Sequence, residues 1–384
     1  MAYIYVPVEI SEKRLTSFMA KLKRLVDLRD NRGKRHELGF VLGGVVLAIM
    51  SGRSYASSIH RFIKHRIKWL RRVLGNPKAN PVSRAQLPRI LAEVDWGALN
   101  EIIEMHFGFK IEVKQDEWYA LDGKTLRGIP GQKDRILLAV SHTERQTVAQ
   151  KPMQGPKESE ITAVRQMLTE TGLEKSKITL DALHFNPTST GQINQADGWF
   201  IIQLKDNQPI LFAQMSQEAS AAVPLGTIKN TEKGHGRLEV RQATFFNIRH
   251  LKLDPRWDDS GLTTLIVMSR RTTEIAKQKP SAEVSFYLSN ASLEQGDEQI
   301  QPELFIAIRK HWGVESDNYI RDVSFKEDAV RTKNGHQGQI LASLRTLAMR
   351  LFREAKINNF QAALEKFSDC PEHFEAFLKQ YGFL

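Results

Sequence analysis

Three acidic residues stand where acids are costly. Asp122 closes the apolar phrase Ala120-Leu121-Asp122-Gly123, Asp181 stands in Ile178-Thr179-Leu180-Asp181-Ala182-Leu183-His184, and Glu315 falls within residues 306–323. Aspartate is disfavoured in strands, yet both aspartates lie inside or at the end of β-like runs. Read as one helix, residues 306–323 put Ile308, Trp312, Glu315 and Tyr319 on a single face, so a carboxylate sits in an apolar stripe. A buried ionised glutamate needs a hydrogen-bonded basic partner such as Arg309, His311 or a distant arginine; otherwise it needs a metal or a proton. If the aspartates end neighbouring strands and Glu315 arrives from a helix packed on that sheet, the three carboxylates repel one another unless cations are present. Oxygen-only ligands suit Mg2+ or Mn2+, and two such ions about 4 Å apart can activate an attacking oxygen and stabilise the leaving one in phosphoryl transfer.

The elements that would hold these residues alternate in type. Residues 118–121, 136–141 and 147–151 read as a meander of three antiparallel strands, followed by a helix over 157–171 with Glu158 and Glu160 in its first turn. A strand over 177–183, a helix over 188–196, a strand over 198–204 and a helix over 208–222 complete a mixed α/β layout. Residues 226–231, 237–247, 262–270 and 281–289 are β-like and read as an insertion, because they separate the α/β layers from the helix over 301–323. A further helix over 338–353 and a helical tail close the chain.

The first hundred residues are of another kind. They read as four or five helices and carry 19 Lys and Arg against 7 Asp and Glu, while the remaining residues balance at 36 against 37. The net charge of +11 therefore belongs to one end, which points to a polyanion, nucleic acid before membrane. Residues 55–74 predict an amphipathic helix whose apolar side is Ile59, Ile63, Ile67, Leu70 and Leu74 and whose basic side includes Lys64, Lys68, Arg71 and Arg72. Cations along a rigid rod neutralise phosphates without reading bases. A single cysteine, Cys370, excludes an intramolecular disulfide and any multi-cysteine zinc site. Residues 1–10 lack a secretory pattern, and the apolar run 40–50 is too short to span a bilayer, so a cytoplasmic, nucleoid-associated protein is expected.

Six phrases carry a resemblance. Leu121-Asp122-Gly123-Lys124-Thr125-Leu126-Arg127-Gly128, residues 157–161, Thr179-Leu180-Asp181-Ala182-Leu183-His184, Leu204-Lys205-Asp206-Asn207-Gln208-Pro209, His235-Gly236-Arg237-Leu238-Glu239-Val240-Arg241, and residues 309–331 recur in order, and the match is collinear over 20–355. In these the chain resembles the DDE transposases of the ISAs-one insertion-sequence family, the H-repeat-associated proteins. The resemblance implies an RNase H-like catalytic core with a β-strand insertion, preceded by an all-helical N-terminal domain. It also implies that Asp122, Asp181 and Glu315 hold two Mg2+ or Mn2+ ions. The expected partition is 1–110 for the helical DNA-binding domain, 111–223 for the first part of the core, 224–292 for the insertion, 293–355 for the last part, and 356–384 for a helical tail.

The expected activity is metal-dependent hydrolysis at the element's ends followed by strand transfer into target DNA, carried out by a homodimer on double-stranded DNA. Lys124, Arg127, Lys205, Arg237 and Arg241 are candidate DNA contacts, and His184 and His311 are expected beside the carboxylates. Related transposases often place a Tyr, an Arg and a Lys around the glutamate. Here His311 and Asp322 stand four before and seven after Glu315, and Arg309 and Arg321 are read as substitutes. Glu327 and Asp328 form a rival acidic pair. Two other readings share these residues: a domesticated DNA-binding protein that keeps the fold, and a structure-selective nuclease.

Overall fold

Short helix-forming runs broken by Gly, Asn and Pro make up the chain before residue 108, and alternating runs of Val, Ile, Thr, Phe and Tyr dominate from 118 to 289. The computed structural model describes residues 17–31, 34–107, 114–125, 135–153, 157–234, 236–276, 279–294, 299–329, 331–332 and 334–384, with the side chains of 125, 157–160, 279 and 315 outside that description. Among the described residues the first helices are α1 (Phe18–Leu22), α2 (Leu38–Met50), α3 (Ala56–His65), α4 (Ile67–Val73), α5 (Gln86–Ala92) and α6 (Trp96–Phe107). Then come β1 (Trp118–Thr125), β2 (Arg135–Ser141), β3 (Thr147–Met153), α7 (Lys157–Thr171), β4 (Lys177–Leu180), α8 (Pro187–Gln195), β5 (Trp199–Leu204) and α9 (Pro209–Ala221). The strands β6 (Gly226–Gly234), β7 (Arg237–Asn247), β8 (Thr264–Glu274) and β9 (Lys279–Ser289) follow. The chain closes with α10 (Ile300–His311), α11 (Gly313–Val323), α12 (Gly335–Glu354), α13 (Phe360–Asp369) and α14 (Pro371–Gln380).

The strands form one mixed sheet in the order β3-β2-β1-β4-β5-β9-β8-β7-β6. β1, β4 and β5 are parallel, while β5–β9, β9–β8, β8–β7 and β7–β6 are antiparallel. The four strands expected as an insertion thus extend this same sheet from the edge of β5, through pairs such as Gln203 with Tyr287. Side-chain alternation gives the sheet two buried faces. Leu121, Ile178, Leu180, Phe200, Ile202 and Leu204 pack with Val164 and Leu168 of α7, Ile193 of α8 and Leu211 and Met215 of α9. Trp118, Ile201, Phe245 and Ile266 point the other way and pack with Leu304, Phe305, Ala307 and Ile308 of α10.

The chain divides into two compact units. The sheet unit comprises the described residues of Glu112–Lys124 and Leu137–Ser316; the other takes the described residues of Met1–Ile111, Thr125–Ile136 and Asp317–Leu384. In the second unit α2 is buried along its whole length, and its Val45, Val46, Leu47 and Ile49 join Leu344, Leu347 and Leu351 of α12 and Phe374 and Phe377 of α14 in one core.

Two long helices expected from periodicity are each two. The run 55–74 breaks at Arg66 into α3 and α4, and still buries Ile59, Ile63, Leu70 and Leu74. The run 306–323 breaks at Trp312, ahead of Gly313, and the break changes the phase of the stripe. Ile308 is buried, but Trp312 is 52% and Tyr319 65% exposed, so the apolar stripe imagined around Glu315 does not form. α11 instead buries Val314, Asp317 and Arg321. No described helix is long and apolar enough to cross a membrane.

Candidate active site

The parallel register of β1 and β4 sets the site. Their last partner pair is Leu121 with Leu180, so Asp122 and Asp181 come next, on strands about 4.8 Å apart. Alternation sends both to the face that α10 covers, because Leu121 and Leu180 are committed to the opposite core. Asp122 does not end its strand, since β1 runs on to Thr125. Asp181 does follow its strand: β4 stops at Leu180, and Asp181 caps a 3₁₀ turn over Ala182–His184, its Oδ1 accepting the Ala182 N–H at 2.6 Å.

A cavity of about 220 Å3 opens on this face, lined by Asp122, Thr179, Asp181, Gln203, Lys205, Glu283, Tyr287, His311 and Trp312 among others. Lys205 Nζ lies 3.4 Å from Asp181 Oδ1, with both side chains about half exposed (53% and 45%). The phrase after Lys205 is structural: Asn207 Nδ2 donates to the Ala182 carbonyl at 2.7 Å and Gln208 Nε2 to the Phe185 carbonyl at 2.9 Å, which ties the end of β5 to the Asp181 turn.

Two histidines, His184 and His311, feel the charge of Asp181, and a third, His142, contacts Thr179 in the same wall. His184 is 1% exposed, and loss of water holds it down at about 4 although Asp181 pulls the other way. The same opposition holds His311 at about 4, and burial takes His142 to about 3. All three are neutral at pH 7 and offset none of the aspartates' charge. Tyr287, on β9, is pushed up to about 12 by burial, with the charges of Glu283 and Asp181 adding to it, and stays protonated.

His142, Thr179, Gln203, Glu283 and Tyr287 were not singled out from sequence. His142 carried a signal, a histidine directly after the apolar strand β2. The other four required the sheet order, because Glu283 and Tyr287 reach the aspartates only through the pairing of β9 with β5.

The two aspartates fit a hard divalent cation. They are adjacent oxygen donors, one of them half exposed, with Lys205 as the cation that reaches Asp181. Among the described residues no three His, Cys, Asp or Glu side chains converge as a metal site. Glu315 lies in the first turn of α11, and its side chain is outside the described residues. Of the rival pair, Glu327 is 4% exposed with Arg345 Nη1 at 3.5 Å from its Oε1.

The candidate DNA contacts are dispersed. Lys64 and Lys68 are exposed in the helical unit; there Arg71 Nε donates to the Ala79 carbonyl at 2.7 Å and Arg72 pairs with Glu375 at 2.8 Å. Lys124 is 7% exposed, Arg127 lies outside the described residues, and Arg237 is exposed at the start of β7. Arg241 pairs with Glu239 and Glu232, and Arg309 with Glu232 at 2.6 Å. Arg321 is 1% exposed and donates to Asp317 and Thr346, so its guanidinium faces α11 and α12 rather than solvent.

Residues 19–107 match the family described as DDE_Tnp_1-associated. The chain is 25% identical over 356 residues to "Putative transposase YncI" of Escherichia coli O157:H7, covering 89% of this chain and 88% of that protein. It is 23% identical over 367 residues to "Putative protein YbfL" of Escherichia coli K12, covering 92% and 94%. It is also 30% identical over 254 residues to an "Uncharacterized protein in dhlA 3'region" of Xanthobacter autotrophicus, covering 63% of this chain and 84% of that one. Its N-terminal helices match that transposase-associated description and most of its length aligns with a putative transposase, so the similarity of the chain is to transposases.

Proposed function

We propose that this chain is a DDE transposase of the ISAs-one type, with an RNase H-like core, that cuts DNA at the ends of its element and joins them to target DNA. The observation that carries the reading is the side-by-side position of Asp122 and Asp181 after the register pair Leu121 with Leu180. The strand segment β3-β2-β1-β4-β5, with helices against both faces, supports the RNase H-like core. Glu315 is the proposed third carboxylate, and a homodimer on double-stranded DNA is the proposed working form.

Two Mg2+ or Mn2+ ions held by Asp122, Asp181 and Glu315 would supply the positive charge that makes an oxygen nucleophile and relieves the leaving oxygen. The protein's own contributions are separable from that. Asp181 is oriented by the Ala182 N–H, and its turn is held by Asn207 and Gln208. Lys205 offers a cation that can shift from Asp181 to a DNA phosphate when the carboxylate is otherwise engaged. Tyr287 keeps its proton and can only donate to an anionic oxygen.

Asp122→Ala, Asp181→Ala and Glu315→Ala should each abolish Mg2+-dependent cleavage of end DNA while leaving its binding within a few-fold, as read by gel cleavage and by fluorescence anisotropy. Full cleavage by any one of the three would sink the triad. A wild-type protein that cuts branched DNA but performs no strand transfer from precut ends would replace this reading with the nuclease.

A further inference from the structure

Thr179 Oγ1 stands between two imidazoles, 3.1 Å from His142 Nε2 and 2.9 Å from His311 Nδ1. Its third neighbour, the Tyr119 carbonyl, accepts at 3.5 Å, the longest and weakest of the three contacts and the poorest competitor for the hydroxyl proton. The hydroxyl proton therefore goes to one imidazole, and the other imidazole must donate its own N–H to the hydroxyl oxygen. Each ring is neutral at pH 7 and has a single N–H to place.

Two arrangements make both bonds. In the first, His142 donates from Nε2 and Thr179 donates to His311 Nδ1, which leaves the His311 proton on Nε2. In the second, Thr179 donates to His142 Nε2 and His311 donates from Nδ1, which forces the His142 proton onto Nδ1. His142 is 5% exposed, stacked beside Trp118, and its buried Nδ1 has no hydrogen-bond partner among the described residues. A buried N–H without an acceptor is the rarer and costlier defect; a bare lone pair is better tolerated. The first arrangement is therefore favoured. In it His142 donates, Thr179 relays, and His311, which lines the cavity that Asp122 and Asp181 share, carries its proton on Nε2.

We infer that Thr179 and His142 lock His311 as its Nε2–H tautomer, so that His311 serves as a neutral hydrogen-bond donor to a phosphate oxygen bound beside Asp122 and Asp181, and not as a base. An uncharged donor suits this position, because it can stabilise a developing phosphate charge without repelling cations drawn to the aspartates. His311 is then a catalytic residue, while Thr179 and His142 are positioning residues. The phosphate in this inference rests on the proposed phosphoryl-transfer function; the tautomer does not.

The test starts with the wild-type chain carrying 15N-histidine. Two-bond 1H–15N correlation spectra at pH 7, with His311 assigned through His311→Gln, should show the Nε2–H pattern for His311 and for His142. A Nδ1–H pattern for His311 overturns the inference. Thr179→Val keeps the side-chain shape and removes the relay. It should mix the His311 tautomers and lower kcat on end DNA about ten- to a hundredfold, below the loss typical of deleting a donor outright, with KM nearly unchanged and Thr179→Ser restoring both. Unchanged kcat in Thr179→Val, or a fall that Thr179→Ser does not rescue, also overturns it. If wild-type protein cleaves no DNA while His311 is Nε2–H, the phosphoryl-transfer reading and the donation to phosphate fail and the tautomer lock stands. If it cleaves DNA while His311 is Nδ1–H, this inference fails alone.

Discussion

Replacing Asp317 by Asn should unfold the helical unit more easily than almost any other single change. Asp317 is 1% exposed, with Arg321 Nε 2.9 Å from Oδ2 and Arg353 Nη1 2.7 Å from Oδ1, and the arginine side chains are 1% and 14% exposed. Burial alone would raise the Asp317 carboxyl, but the two guanidinium charges override it and hold the group below 3.8. Removing the carboxylate leaves two enclosed cations facing a neutral amide. Breaking a buried pair by deleting one partner costs about 3–5 kcal/mol, mainly through the charge left uncompensated. At about 2–4 °C per kcal/mol for a unit of this size, the melting transition should fall by roughly 6–20 °C. Urea denaturation followed by far-ultraviolet circular dichroism, with scanning calorimetry beside it, reads both quantities. Arg321→Met should cost less in the Asp317→Asn background than in wild type, since the two act as one unit. A loss below about 1 kcal/mol for Asp317→Asn, or strict additivity with Arg321→Met, would refute the reasoning.

Acid should destabilise the sheet unit well above the carboxylate range. His142, His184 and His311 have folded-state values of about 3, 4 and 4, all below the unfolded value of 6.5. The unfolded chain therefore takes up protons first as pH falls below 6.5, and the stability present above that pH is lost on the way down to 4. The slope is at most about 4 kcal/mol per pH unit if all three contribute, and a denaturation midpoint that stays flat from pH 7 to 5 would count against it. Gly198→Ala should cost about 1–3 kcal/mol by the same urea assay, because a Cβ there would lie 2.0 Å from the Glu174 carbonyl oxygen and 2.9 Å from that of Ser176, backbone atoms that cannot turn aside. An unchanged midpoint would show that the turn entering β5 gives way.

Periodicity carried much of the element order. The helix over 157–171 and the strand over 237–247 agree with α7 and β7 to the residue, and β5, α8 and α9 agree within a residue or two at either end. It failed where a single residue breaks a helix, at Arg66 and at Trp312 before Gly313, because spacing rules assume a continuous phase. Arg321 shows a second limit. A basic residue near a candidate glutamate reads as a DNA contact, but the fold buries it against Asp317 and Thr346.

What the sequence by itself determined was the chemistry on offer. Asp122 and Asp181 were legible because aspartate after an apolar β-like run is unusual on local grounds, and the basic first hundred residues were legible because charge is additive. Which groups share the cavity was decided only by tertiary structure. The register of β1 with β4 brings the aspartates abreast, the pairing of β9 with β5 delivers Glu283 and Tyr287, and Thr179 joins His142 to His311 across 169 residues of chain. A side chain's face on a sheet follows from local alternation, but its neighbours across the sheet depend on strand order and register, which no local spacing encodes.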